Sequence, residues 1–183
     1  MAAIELRKIS ITELDTDAIV NAANEHLAAG GGVCGAIFIA AGHKQMQEAC
    51  DLYEHCNPGE AVLTPGFNLK AKYVIHAVGP IWEGGSYGEA DILRSAYLRS
   101  LELAYLNGCS SIAFPLISAG IYGYPVNLAW NVALTACKDY LDMHNDESIQ
   151  IVFAVLDDSI MAKGKQALIS TGACKYSSNE INN

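Results

Sequence analysis

Ala18-Ile-Val-Asn-Ala-Ala-Asn24, followed by Glu25-His-Leu-Ala-Ala-Gly30-Gly31-Gly32-Val33-Cys34-Gly35, carries a β-branched apolar run into polar amides, then a glycine loop, then a helical stretch. Strand, glycine loop and helix in that order can turn backbone N–H groups and a helix N-terminus toward an anion. Glycine content alone also suits a plain β–α connection. Two asparagines three residues apart at the strand end favour a ligand site, because amides there commonly orient hydroxyl groups. A second segment, Phe114-Pro-Leu-Ile-Ser118-Ala119-Gly120-Ile121-Tyr122-Gly123-Tyr124-Pro125, repeats the pattern. Two such loops at the ends of parallel strands are expected to hold a diphosphate from both sides. Neither loop contains the G-x-x-x-x-G-K-[ST] of a nucleotide kinase or the G-x-G-x-x-G of a dinucleotide fold, and neither offers a lysine.

Outward from these loops, near-continuous apolar runs at Asp17 to Asn21, Tyr73 to Val78, Ser111 to Leu116 and Ile149 to Leu156 are those of strands covered on both faces. Shorter strands are expected at Ile4 to Lys8 and Ala61 to Thr64. Helical spacing places Leu93, Ala96, Tyr97, Leu101 and Ala104 on one face, and Ala129, Val132, Ala133, Ala136 and Tyr140 on another. Asn107-Gly108 closes the first of these helices and Pro125 opens the second. Further helices are expected at Cys34 to Ala41, Lys44 to Cys56 and Asp158 to Ser170. The alternation predicts an α/β layered fold. One domain is expected over residues 1–175, with a flexible tail at 176–183.

The chain has 183 residues and a net charge of −9, so the basic footprint of a duplex-binding protein is missing and nucleic-acid partners are not expected. Any phosphate must be held locally by backbone. The six cysteines form no C-x-x-C pair or zinc-type spacing, and no metal or other cofactor is expected. Reduced thiols, an N-terminus without a signal-peptide apolar stretch and no apolar run near the roughly 18 residues of a membrane span predict a cytoplasmic chain, without membrane association. A monomer is expected.

The runs Ile19-Val-Asn-Ala-Ala-Asn24, Gly30-Gly-Gly-Val33, Gly59-Glu-Ala-Val-Leu-Thr-Pro-Gly66, Tyr73-Val-Ile-His-Ala-Val-Gly-Pro80 and Ile117-Ser-Ala-Gly-Ile-Tyr-Gly123 together resemble the macro domain family, in order and over residues 4 to 171. The resemblance is strongest to the branch with ADP-ribosyl hydrolases and viral macro domains. It implies a three-layer α/β/α fold around a central mixed, mostly parallel sheet. It also implies ADP-ribose, free or on a protein or small molecule, as partner. By resemblance, Gly30, Gly31, Gly32 and Val33 form one diphosphate loop, and Ser118, Ala119, Gly120, Ile121 and Tyr122 the other. Asn24 positions the distal ribose, Tyr122 lies beside it, and Asn21 shapes the strand end.

Two departures bear on activity. Many hydrolases of this branch carry an Asp after the Gly-Gly-Gly-Val loop, where this chain has Cys34 and some viral relatives have Cys or Ala. Cys34 is either a small buried space-filler or an assistant to the attacking water, with Asn24 the other catalytic candidate. Ile9-Ser10-Ile11-Thr12 stands where the family reads Gly-Asp-Ile-Thr, so Ser10, beside Ile11, offers adenine a neutral acceptor in place of a charged one. Leu156 is expected to face the adenine ring. Asp157 either compensates for Ser10 or caps the following helix.

Elsewhere, His76 is expected to be a core histidine rather than a ligand, and Glu48, Asp51 and Glu54 to mark a solvated helix face. Trp82-Glu-Gly-Gly-Ser-Tyr-Gly88 reads as a lid over the ribose or a bare connection. The expected function is hydrolysis of ADP-ribosyl esters, on Asp or Glu side chains or on O-acetyl-ADP-ribose. The alternatives are an ADP-ribose reader without turnover and a binder of another nucleotide diphosphate sugar.

Overall fold

The structure, a computed structural model, describes residues 3–144 and 149–177. Its elements in chain order are β1 (Ala3–Arg7), β2 (Ala18–Ala23), α1 (Gly32–Ala41), α2 (His43–Cys50), β3 (Ala61–Pro65), β4 (Tyr73–Val78), α3 (Glu89–Leu106), β5 (Ser111–Phe114), α4 (Val126–Met143), β6 (Gln150–Ala154) and α5 (Asp158–Ser170). Short 3-10 turns add Ile11–Glu13 and Ala173–Tyr176. The six strands form one sheet in the order β1-β6-β5-β2-β4-β3. Only the edge strand β3 runs antiparallel, against β4.

The pleat decides the layers. Successive side chains of a strand point to opposite faces, so Ala18 and Val20 of β2, with Ile75 and Ala77 of β4, enter the core beneath α3, α4 and α5. Ile19 and Ala23, with Val74 and Val78, enter the core under α1 and α2. Both faces of β2 and β4 are buried, which is why those strands read as near-continuous apolar runs. The fold is the expected three-layer α/β/α arrangement around a mixed, mostly parallel sheet.

In α1 the residues Cys34, Ile37, Phe38 and Ala41 are buried at helical spacing. In α4, Trp130 is fully buried and its indole N–H donates to the Ile160 carbonyl at 2.9 Å. Gly164 of α5 lies against that ring; a Cβ there would sit 2.7 Å from both Trp130 and Leu6.

Several boundaries move from expectation. Helix α2 ends at Cys50 rather than Cys56. Beyond Cys50 the Met46/Cys50 stripe has no apolar successor that faces the core, Leu52 is exposed, and Cys56 N–H pairs with the Glu25 carbonyl at 3.0 Å. Strand β5 stops at Phe114 because Pro115 has no N–H to continue the ladder. Strand β2 runs two residues further than expected, and β6 ends two short. Tyr176, expected in a flexible tail, ends a 3-10 turn, and its hydroxyl donates to Asp142 at 2.5 Å; residues 178–183 lie outside the described residues.

Candidate functional site

The C-terminal ends of β1, β2, β4, β5 and β6 share one edge of the sheet, and there the chain leaving β2, β4 and β5 lines a cleft of about 330 Å³. Open α/β sheets place ligands at this edge, where adjoining loops diverge. Asn24, the loop Gly30 to Cys34 and the segment Pro115 to Ser118 line the cleft, together with Gly120, Ile121 and Tyr122. The two glycine loops picked out in the sequence therefore face one another across one space.

The first wall is the start of α1. The N-cap, Gly31, supplies no capping side chain, and the first turn has no acidic residue. Helix geometry leaves the N–H groups of Gly32, Val33 and Cys34 without carbonyl partners inside the helix. They and the helix dipole present positive potential without a cationic side chain. The wall is fixed by Gly35, where an added Cβ would lie 2.6 Å from the Gly30 carbonyl oxygen. Replacing a helical Gly with Ala ordinarily stabilises by about 0.5–1 kcal/mol. Gly35→Ala is expected instead to destabilise by about 1–3 kcal/mol, the overpacking range. Urea denaturation of the two proteins checks the sign.

The opposite wall is the loop from Pro115 to Tyr124. Ser118 holds a left-handed backbone, φ 66°, uncommon without glycine. The loop closes through Tyr124 N–H to the Ser118 carbonyl at 2.9 Å and Gly123 N–H to the Gly120 carbonyl at 3.0 Å. From below, the buried Tyr97 hydroxyl accepts from Ile117 N–H at 2.9 Å and donates to the Pro115 carbonyl at 3.4 Å. Burial pushes that phenol's pKa far up, so it stays neutral. The N–H groups of Ser118, Gly120, Ile121 and Tyr122 donate to no described residue, and the Ser118 hydroxyl, only 6% exposed, is likewise unpartnered among them. Gly79 contributes by lacking a side chain: a Cβ there would fall 2.2 Å from Ser118 Oγ.

Asn24 braces its own turn. Its Nδ2 donates to the Ala28 carbonyl at 2.9 Å and its Oδ1 accepts from Ala28 N–H at 3.1 Å. A carboxamide has two donors and two acceptor lone pairs, so one of each remains for the cleft.

Beneath the floor, Asn21 is buried. Its Nδ2 contacts Cys34 Sγ at 3.6 Å and His76 Nδ1 at 3.0 Å, while its Oδ1 has no partner among the described residues. Donation from Asn21 puts the imidazole proton on Nε2, which donates to Thr64 Oγ1 at 3.0 Å, and Thr64 donates on to the Pro65 carbonyl at 3.1 Å. Burial lowers the His76 pKa to about 4. His76 is thus the expected satisfied core histidine. The Cys34 thiol donates toward the Ala28 carbonyl at 3.8 Å. Burial also raises the Tyr122 phenol, with further contributions from Glu25 and Cys34.

Other candidates stand at the same sheet edge but outside the cleft lining. Ser10 shares its hydroxyl with Thr12 Oγ1 at 2.9 Å, and Ile11 is buried in the core under α1. Ala119 packs toward the core on the far face. Leu156 is exposed, and Asp157 caps α5 by accepting from Ile160 N–H at 2.9 Å. Of its two expected roles, the cap is the one the geometry displays. Ala22, Ala23, Gly79 and Pro115 to Ile117 also line the cleft; they lie within the quoted motifs but outside the residues singled out as ligand-binding. Gly79 is the second-to-last residue of the quoted Tyr73-to-Pro80 motif, and its place directly after the end of β4 is the available signal.

Residues 20–133 match the family model described as Macro domain, and the chain belongs to that family. Among its relatives is a macro domain-containing protein of Caldanaerobacter subterraneus subsp. tengcongensis, 46% identical, with 90% of this chain and 97% of the relative covered. A protein of Citrobacter rodentium named O-acetyl-ADP-ribose deacetylase is 45% identical, covering 88% of this chain and 93% of its own length. Among solved structures, the Oceanobacillus iheyensis macrodomain with ADP superposes with a TM-score of 0.86 at 34% identity, covering 91% and 90% of the two chains. The Trypanosoma brucei macrodomain in complex with ADP-ribose gives 0.84 at 38% identity, covering 91% and 69%.

Proposed function

We propose that the cleft binds ADP-ribose and that the chain hydrolyses ADP-ribosyl esters, as on O-acetyl-ADP-ribose or modified Asp and Glu side chains. The observation that carries this is the pair of facing backbone loops, whose unpaired N–H groups suit the four oxygens of a diphosphate. The relatives named as deacetylases, and neighbours holding ADP or ADP-ribose, support the ligand and the ester. An acidic protein can hold this anion because oriented amides supply potential locally.

Among the lining residues there is no carboxylate and no imidazole. Catalysis here therefore rests on positioning. The loops fix the diphosphate, the spare Asn24 amide groups hold the distal ribose, and Tyr122 closes its side. A water held against a substrate phosphate oxygen then adds to the ester carbonyl. The carbonyl–ribose oxygen bond breaks, the ribose oxygen takes a proton, and ADP-ribose and a carboxylic acid leave.

Cys34 in this scheme shapes the floor: its thiol is turned to Asn21 and Ala28. Cys34→Ala is expected to keep turnover of O-acetyl-ADP-ribose within about threefold, less than 1 kcal/mol of barrier. A loss of a hundredfold would make the thiol a participant. Absence of a general base in the lining favours one second function, an ADP-ribose reader without turnover. Binding by the unsubstituted chain with neither release of acetate from O-acetyl-ADP-ribose nor release of ADP-ribose from a protein modified on Asp or Glu would establish the reader and end the hydrolase proposal.

A further inference from the structure

Glu89, the first residue of α3, is 2% exposed although it carries a carboxylate. Its partners are backbone N–H groups of the loop that precedes it. Oε1 accepts from Tyr87 at 2.6 Å, and Oε2 accepts from Gly85 at 2.7 Å and Glu83 at 3.1 Å. These charge-assisted bonds curl residues 83–87 around the carboxylate. Gly85 takes φ +91° and passes under Trp82, where a Cβ would come within 2.7 Å of the indole. The indole leans on Tyr124, ring centres 4.6 Å apart, and Trp82 N–H donates to the Tyr122 carbonyl at 2.8 Å. Tyr124 N–H in turn closes the cleft loop on Ser118.

An unbroken set of contacts therefore joins a buried carboxylate to the wall of the cleft. The segment Trp82–Gly88 is neither a free lid nor a bare connection; it is a brace. We propose that Glu89 is a positioning residue: its carboxylate fixes this brace, and the brace holds Ser118 to Tyr122 in the shape that grips the second phosphate. The inference rests on ADP-ribose being the ligand.

A Gln at this position has one acceptor oxygen and turns an N–H₂ toward a loop N–H, so the cage loses at least one bond and its charge. For Glu89→Gln, confirmed folded by near-ultraviolet circular dichroism, affinity for ADP-ribose and ADP is expected to fall about tenfold. AMP, which lacks the second phosphate, is expected to change by less than about twofold. Amide exchange is expected to quicken at 118–124 and to stay unchanged in α1. Trp82→Ala leaves the carboxylate cage and the backbone bond to Tyr122 in place and removes the indole's contact with Tyr124, which weakens the hold of the brace on the cleft loop. It is expected to show the same preference for losing ADP over AMP, and it decides the matter if Glu89→Gln does not fold. Equal weakening of all three nucleotides, or unaltered ADP-ribose affinity, would overturn the proposal. Failure of the unsubstituted chain to bind ADP-ribose would instead overturn the ligand assignment, and is told apart by that control.

Discussion

Asn24→Ala is expected to lower kcat/KM for O-acetyl-ADP-ribose about a hundredfold, the scale on which misplacement of about 1 Å costs a positioned reaction. Two losses combine. The spare donor and acceptor that face the cleft disappear, so the distal ribose is no longer held against the water. The Ala28 N–H and carbonyl also lose their Asn24 partners, so the turn from Asn24 to Ala28 loosens and the glycine loop after it shifts. At about 1 kcal/mol per bond, the second loss also shows as roughly 1–2 kcal/mol less stability in urea. Steady-state kinetics beside a denaturation curve separate the two. Activity within threefold of the parent would remove Asn24 from the mechanism.

Acidification is expected to destabilise the fold through His76 well before the carboxylates respond. The folded-state pKa is about 4 because the imidazole is buried, against an ordinary value of 6.5. The unfolded chain then binds the proton more readily, so stability rises with pH through this window and is lost as pH falls from 6.5 toward 4. The full effect is about 3 kcal/mol, with about 2 kcal/mol gone by pH 5. Asp17, Glu89 and Asp142, held below the usual carboxylate range by hydrogen bonds they accept, add their own losses at lower pH, as each is forced to protonate. The structural cause is local. A protonated ring would set an Nδ1–H against the Asn21 Nδ2 donor and break the hold on Cys34 at the cleft floor. Urea midpoints between pH 7 and 5 are expected to fall steeply for the parent and to stay flatter for His76→Gln. A parent curve flat over this range would contradict the neutral, buried imidazole.

What the sequence displays and what it hides follow from the range of the forces involved. The apolar runs of β2 and β4 are legible because burial on both sheet faces leaves few polar positions, Asn21 and His76 being the buried exceptions, and the α3 and α4 stripes because each buries one face. The two cleft loops are legible because glycine and strand-end amides are local signals. The end of α2 is not, since the pairing that turns the chain there joins Cys56 to Glu25 across 31 positions. Gly79 looks like any strand-end glycine until Ser118 is brought against it. The Glu89 cage, though local, is hidden for another reason: composition makes Gly-Gly-Ser flexible, and only the folded loop shows three N–H groups converging on one carboxylate. Asp157 had two expected roles, and its cap is the one made by a partner three residues away.

The central claim, that two facing backbone loops make this cleft an ADP-ribose site, is tested most directly by calorimetric titration of ADP-ribose into the unsubstituted protein, with UDP- and GDP-sugars as competitors. Saturable one-to-one binding that the other nucleotide sugars do not displace is the predicted result. No heat of binding, or tighter binding of a UDP- or GDP-sugar, would contradict it and leave the Macro family membership as a statement about fold alone.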